Sequence, residues 1–189
     1  MADDTILETE RLVMRKFRGT DLPYWIEHMN TPEVRAHLGE AKSPAHIASR
    51  LARVRSKWNE ADGGYLALIR RADGEFLGEC GCSSVTAEAA PAEMRGELEV
   101  GWQLRADCWG HGYATEAARA LLDLIFGRFG RRIVFSQTSE TNRSSWRVME
   151  RLGMTRREDL DYDDPDFPPE ENPSKVYCLR RGERVARNG

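Results

Sequence analysis

A chain of 189 residues, 40% hydrophobic and 31% charged, has the make-up of a soluble globular protein large enough to bury a core as one domain. Its formal net charge of −3 offers no general attraction to nucleic acid, and no apolar run reaches the length that crosses a bilayer. The acidic start, Met1-Ala2-Asp3-Asp4, lacks the basic residues of a secretion signal, so the expected setting is the cytoplasm, without membrane or nucleic-acid partners.

From Leu7 to Arg15 the chain alternates, with Leu12 and Met14 on one parity and Arg11, Val13 and Arg15 on the other, which predicts an edge-like strand. Thr20-Asp21-Leu22-Pro23 combines a capping side chain with an early proline and starts a helix expected to reach about Asn30. Thr31-Pro32-Glu33 repeats that signal before a short helix stopped by Gly39. A third helix begins at Ser43-Pro44 and aligns Ile47, Leu51, Val54 and Trp58 on one face. Arg50, Arg53, Arg55 and Lys57 fall mostly off that stripe and read as a solvated basic face. Strands follow at Tyr65–Arg70 and Phe76–Val85, joined through Ala72-Asp73-Gly74-Glu75, where Asp-Gly tolerates positive φ. Cys80 and Cys82 then share a strand face as small core residues. Neither they nor Cys108 and Cys178 have a second close Cys/His pair, so no metal site is expected. Thr86 to Gly96 reads as a loop.

The stretch from Glu97 to Phe126 carries the functional signal. Leu98, Val100, Trp102 and Leu104 alternate with Glu97, Glu99 and Gln103, whereas Ala117, Ala118, Leu121, Leu122 and Ile125 recur at helical spacing. Between this strand and this helix lies Trp109-Gly110-His111-Gly112-Tyr113-Ala114, whose small residues leave backbone N–H groups uncovered at a helix start. Unpaired donors and the positive end of the helix dipole suit a phosphate, although a tight connection with no ligand would use the same residues. Neither the G-x-x-x-x-G-K-[ST] loop nor the third glycine of the dinucleotide fingerprint is present. Ile133–Thr138 is the next strand, and the helix after it has Asn142 as a natural cap and Gly153 as a stop. The acidic run from Glu158 to Glu171 contains no Lys or Arg, and Pro165, Pro168, Pro169 and Pro173 keep it from being a regular helix, so it reads as a solvated loop. Lys175–Arg180 closes as the last strand, and the Arg-rich tail after Gly182 is expected to fray.

Trp109-Gly110-His111-Gly112-Tyr113-Ala114-Thr115-Glu116-Ala117 resembles the acetyl-CoA pyrophosphate loop of the GNAT N-acetyltransferase superfamily, in the W-G-x-G-Y-A-[T/S]-E-A form of its RimJ/RimL-type branch. Thr9-Glu10-Arg11-Leu12-Val13-Met14-Arg15 resembles that branch's opening strand, and Asn142 to Met154 resembles the superfamily segment N-x-x-[A/S]-x-x-[V/L]-x-x-[K/R]-x-G-[F/M]. The resemblance implies an α/β (α+β) GNAT fold. Its mixed central sheet would have six to seven strands, helices on both faces and a splay between the fourth and fifth strands. One domain, residues 1–189 with a core of about 7–180, would hold it. Acetyl-CoA is the implied cosubstrate, bound through Trp109, Gly110, His111, Gly112, Tyr113, Ala114, Thr115 and Asn142, with backbone N–H groups of Trp102, Gln103 and Leu104 near its thioester. Trp109 departs from the Gln or Arg of the wider superfamily, which leaves that contact to backbone or stacking. An amine acceptor is the other implied partner; homodimers are common in the branch, while the oligomeric state stays open.

Two residues are assigned to catalysis. Glu99 shares the polar parity of the central strand with Glu97 and stands nearer the implied carbonyl site, so it is the preferred base for the amine proton. Many superfamily members carry an acidic Tyr seven residues after the Asn; here that position is Met149, which donates no proton, and Ser145 is the alternative donor to the leaving thiolate. His111 reads as an exposed loop residue. Direct transfer from acetyl-CoA to a primary amine, an N-terminal α-amine or a small molecule, is the resulting expectation. A non-catalytic acyl-CoA sensor of the same fold is the alternative, with Met149 in its favour.

Overall fold

The computed structural model describes residues 4–58, 63–165 and 167–183. Eight strands, β1 (Thr5–Glu8), β2 (Leu12–Arg15), β3 (Gly64–Arg70), β4 (Phe76–Ser84), β5 (Leu98–Leu104), β6 (Ile133–Ser139), β7 (Thr155–Arg156) and β8 (Ser174–Arg180), form one open sheet. Its order is β1-β2-β3-β4-β5-β6-β8-β7. The helices are a single turn α1 (Leu22–Tyr24), α2 (Pro44–Lys57), α3 (Tyr113–Gly127) and α4 (Arg143–Arg151). All neighbouring strands run antiparallel except β5 and β6.

Strand alternation distributes the apolar side chains to two layers. In β3, Leu66 and Leu68 join the core under α3, which contributes Ala117, Ala118, Leu121, Leu122 and Ile125. Ala67, between them, faces the other way and packs with Trp25, Met29, Ile47 and Leu51. Helices therefore cover both faces, as expected. The expected stripe of α2 is also present: Ile47 and Leu51 are buried, and Ser43 caps the helix by accepting from the His46 amide at 3.3 Å.

The sheet departs from the sequence expectation in its extent. Among the described residues there are eight strands rather than six or seven. β1 pairs outside β2, so β2 is not an edge strand, and the two-residue β7 pairs outside β8. The helix expected from Thr31 to Gly39 is a run of turns. Only Arg35 N–H reaches a carbonyl four residues back, Thr31; Ala36 and Leu38 bond three back. The Arg35 guanidinium takes the carbonyls of Leu38 and Glu40 at 2.8 Å each, satisfying acceptors that a helix would have bonded itself. After Met29, then, a side chain does the work of a ladder.

The splay is real and lies between β5 and β6, the fourth and fifth strands as counted from the sequence. β5 pairs with β4 along its whole length, from Leu98 with Ser84 to Leu104 with Gly78. Toward β6 it is in register only at Leu98 with Val134 and Glu99 with Phe135. Beyond that point the strands part, and side-chain bonds cross near the fork: Ser136 Oγ donates to Val100 O and Gln137 Nε2 to the Glu99 carboxylate, each at 2.9 Å. Asp166 of the acidic run and the tail of residues 184–189 lie outside the described residues.

Candidate active site

The fork opens into a cleft of about 2160 Å³ that runs from the α3 N-terminus to the face of the sheet under α2. Every residue assigned from sequence lines it: Glu99, Trp102, Gln103, Leu104, Trp109, Gly110, His111, Gly112, Tyr113, Ala114, Thr115, Asn142 and Ser145. Glu97 does not; it precedes β5, with its amide bonded to Met94 O at 3.0 Å.

At one end, the chain turns from β5 into α3 through two glycines in the left-handed region, Gly110 at φ 79° and Gly112 at φ 80°. Two such turns leave the amides of Gly110, His111 and Gly112 without an acceptor among the described residues, next to the N–H groups that any helix leaves open at its start. The carbonyl of Gly112 already receives Glu116 N–H at 3.0 Å, so the helix is properly started while its amino end stays bare. Trp109 is 47% exposed, and its indole N–H bonds Leu104 O at 2.9 Å, fastening the loop to the end of β5. His111 is exposed and its Nδ1 lies 2.9 Å from Trp109 O.

Two motifs far apart in sequence meet here. Glu116 accepts from Thr9 Oγ1 at 2.5 Å, from Arg11 N–H at 3.0 Å and from Arg11 Nε at 2.6 Å. Arg11 also donates to His111 O at 2.9 Å and lies 4.6 Å over the Tyr113 ring. The connection between β1 and β2 thereby clamps the glycine loop. Burial works against the Glu116 charge, but the Thr9 and Arg11 donors outweigh it and hold the carboxyl below the usual range.

In the middle of the cleft, β5 presents polar groups to the gap. The carbonyls of Val100 and Leu104 point away from β4, as their bonds from Ser136 and Trp109 show. By the alternation of a strand, the N–H groups of Trp102 and Leu104 point the same way, where β6 no longer runs alongside. Asn142 behaves as a cap, accepting from Ser145 N–H at 3.2 Å and Ser144 Oγ at 2.8 Å. The Ser145 hydroxyl is half-buried and has no hydrogen-bond partner among the described residues. Met149 is 1% exposed in the core beneath α4.

The far face, under α2, is where sequence reading missed most. Glu99 is half-buried, and burial raises its carboxyl above the ordinary range despite a 2.9 Å bond from Gln137 Nε2. Gln137 in turn accepts from Tyr162 Oη at 2.8 Å. Glu79, 2% exposed, is held by Arg50 at 2.6 and 3.1 Å and by the Trp25 indole N–H at 3.4 Å. Arg50 is thus an internal partner rather than part of a solvated face. The acidic run is likewise not a bare anionic loop. Asp161 pairs with Arg156, Asp159 with Arg157 at 2.7 Å and Glu171 with His37 at 3.1 Å, while Asp164 is 5% exposed.

Among the described residues no group of three or more His, Cys, Asp or Glu is arranged to hold a metal ion, and no helix is long and apolar enough to cross a membrane. An uncharacterised Bacillus subtilis protein, YkkB, is 31% identical over 160 residues, covering 79% of this chain and 85% of its own. An Aspergillus fumigatus protein named FsC-acetyl coenzyme A-N(2)-transacetylase is 32% identical over 107 residues, 56% of this chain and 45% of that one. The crystal structure of an acetyltransferase from Agrobacterium tumefaciens superposes with a TM-score of 0.74 at 28% identity, covering 96% of each chain. A family model, the acetyltransferase (GNAT) domain, matches residues 11–155, and by that match this chain belongs to the GNAT acetyltransferase family.

Proposed function

We propose that the protein transfers an acetyl group from acetyl-CoA directly to a primary amine, as one domain spanning residues 1–189. The observation that carries this reading is the set of unbonded amides at Gly110, His111 and Gly112, which open onto the same cleft as Glu99. These amides, with the start of α3 at Tyr113–Thr115, would hold the two phosphates of coenzyme A. Trp109 would contribute backbone and its exposed ring, and Asn142 would face the pantetheine arm from the head of α4. Bound there, acetyl-CoA supplies an activated acyl carbon whose carbonyl would meet the N–H groups of Trp102 and Leu104, while the Gln103 N–H between them faces β4. Donors fixed in a strand stabilise the developing oxyanion without having to reorganise. The relative named as an acetyl-CoA transacetylase supports the choice of cosubstrate.

Glu99 would take the proton of the attacking amine. Its raised pKa makes it a stronger base than an ordinary carboxylate once ionised. Neutralising a free Lys at pH 7 costs about 4–5 kcal/mol and an α-amine about 1–1.5 kcal/mol, so the α-amine is the easier acceptor. Ser145 would hydrogen-bond the departing thiolate. The W-G-x-G-Y-A-T-E-A loop, clamped by Thr9 and Arg11 of the opening strand motif, supports placement in the RimJ/RimL-type branch. A cytoplasmic setting and a homodimer complete the reading.

The acyl-CoA sensor remains the second reading, because Met149 is buried and gives no acid where many relatives have one. Incubating the protein with acetyl-CoA and N-terminal peptides, polyamines or aminoglycosides, while following free thiol, separates the two. Acceptor-dependent thiol release supports transfer. Tight coenzyme A binding with no release on any acceptor supports the sensor and removes the enzyme.

A further inference from the structure

Tyr65 is an ordinary strand position by sequence, yet in β3 its side chain lines the cleft. It pairs with Gly81 across β3 and β4, and Gly81 pairs with Gly101 across β4 and β5. The ring lies over these two glycines. A Cβ on Gly81 would sit 2.7 Å from Tyr65 Cγ, and one on Gly101 would sit 2.6 Å from Tyr65 Oη. At Gly81 the backbone of β3 is closer still, with Gly64 O and Tyr65 Cα at 2.4 Å, so a side chain there would have to move β3, and one at Gly101 would have to move the phenol. Arg50, itself fixed by the buried Glu79, lies 6.0 Å over the ring. The phenol is therefore held in one place, with its hydroxyl beside β5 just past the last residue that pairs with β6.

That hydroxyl has no hydrogen-bond partner among the described residues, and since no buried side-chain polar atom is left unsatisfied among them, it is not sealed inside the protein. It opens into the cleft that Tyr65 lines. Glu99 stands two residues from Gly101 on the same face of β5, about 7 Å along the strand. Burial and the Glu99 and Glu79 carboxylates push the phenol pKa up, so the group keeps its proton and is no base.

The geometry points to Tyr65 as a catalytic residue that receives the acceptor amine: its oxygen accepts one N–H of the amine while Glu99 takes the proton that leaves. This rests on the acetyl-transfer reading above. In the step itself, the amine nitrogen forms a bond to the acyl carbon and the C–S bond breaks. The sulphur departs with the electron pair, and the ammonium proton passes to Glu99. Tyr65 neither gains nor loses a proton; it orients the nucleophile and stabilises the positive charge that grows on nitrogen.

Tyr65→Phe removes only this contact. A hydrogen bond to a charged group is worth about 1.5–3 kcal/mol, so kcat/KM for the acceptor should fall about 10- to 150-fold. Spermidine and a seryl N-terminal hexapeptide serve as acceptor probes, and calorimetric Kd for coenzyme A should stay within twofold. Gly101→Ala, which displaces the hydroxyl rather than deleting it, should reproduce the loss with the phenol still present. An unchanged kcat/KM in Tyr65→Phe overturns the assignment, as does an equal weakening of coenzyme A binding, which would put the hydroxyl on the cosubstrate arm. If the unaltered protein binds coenzyme A but turns over no acceptor, it is the transfer reading that fails, and Tyr65 as amine receiver fails with it.

Discussion

Gly112→Ala isolates the glycine loop from the rest of the cleft. At φ 80° an L-residue pays about 1–2 kcal/mol, and the new Cβ meets only Arg11 Nη2 at 3.5 Å, an ordinary contact. The strain is therefore in the backbone and not in packing. For a chain of this size it should lower Tm by about 2–8 °C. Relief comes by rotating the Gly112–Tyr113 peptide, which turns the adjoining N–H groups away from the cleft. Losing one charge-assisted bond to phosphate costs about 1.5–3 kcal/mol, so the calorimetric Kd for coenzyme A should rise about 10- to 150-fold. Gly127→Ala is the matched control. It lies at the end of α3 without positive φ and with nothing within 4 Å of its added Cβ, so it should leave binding unchanged and stability equal or slightly higher. If Gly112→Ala binds coenzyme A as tightly as the parent while showing the expected fall in Tm, the loop does not grip phosphate.

Three further outcomes follow from the charges and thiols of the same region. Glu99 must be ionised to accept a proton and its pKa is raised, so kcat/KM should fall with falling pH at values above the usual carboxylate range; Glu99→Gln should lower the rate and flatten that limb in a pH–rate profile. Arg50→Met leaves the Glu79 carboxylate buried without its guanidinium, which should cost about 3–5 kcal/mol by urea denaturation, and adding Glu79→Gln should restore part of it. All four cysteines are buried and free, and burial pushes the thiols of Cys80, Cys108 and Cys178 up; fewer than one thiol per chain should react with Ellman's reagent until denaturant exposes them. A fast-reacting thiol in the native protein would contradict the burial of these four side chains.

The features that sequence made legible are those set by local period and local chain chemistry. The switch from alternation at Leu98–Leu104 to helical spacing at Ala117–Ile125 marks strand and helix, and the glycines between them mark the loop. Asn142 and Gly153 act where their local chemistry predicts, as cap and stop. What escaped depends on register across the sheet. That Tyr65 lies on Gly81 and Gly101 follows only once β3, β4 and β5 are aligned, since each residue alone is an ordinary strand position. Arg50 misled for a related reason: on a helical wheel it leaves the apolar stripe, and its partner Glu79 is a carboxylate hidden in a distant strand. The outer strands β1 and β7 are too short, at four and two residues, for alternation to declare them.

The narrow seam between β5 and β6 has a mechanical meaning for the whole protein. Five strands lie on one side of it and three on the other, joined along the sheet by only two aligned residue pairs. A molecule lodged in that gap would act as a rivet between two plates. Its grip would show as slowed amide exchange on both plates at once, far from any atom it touches.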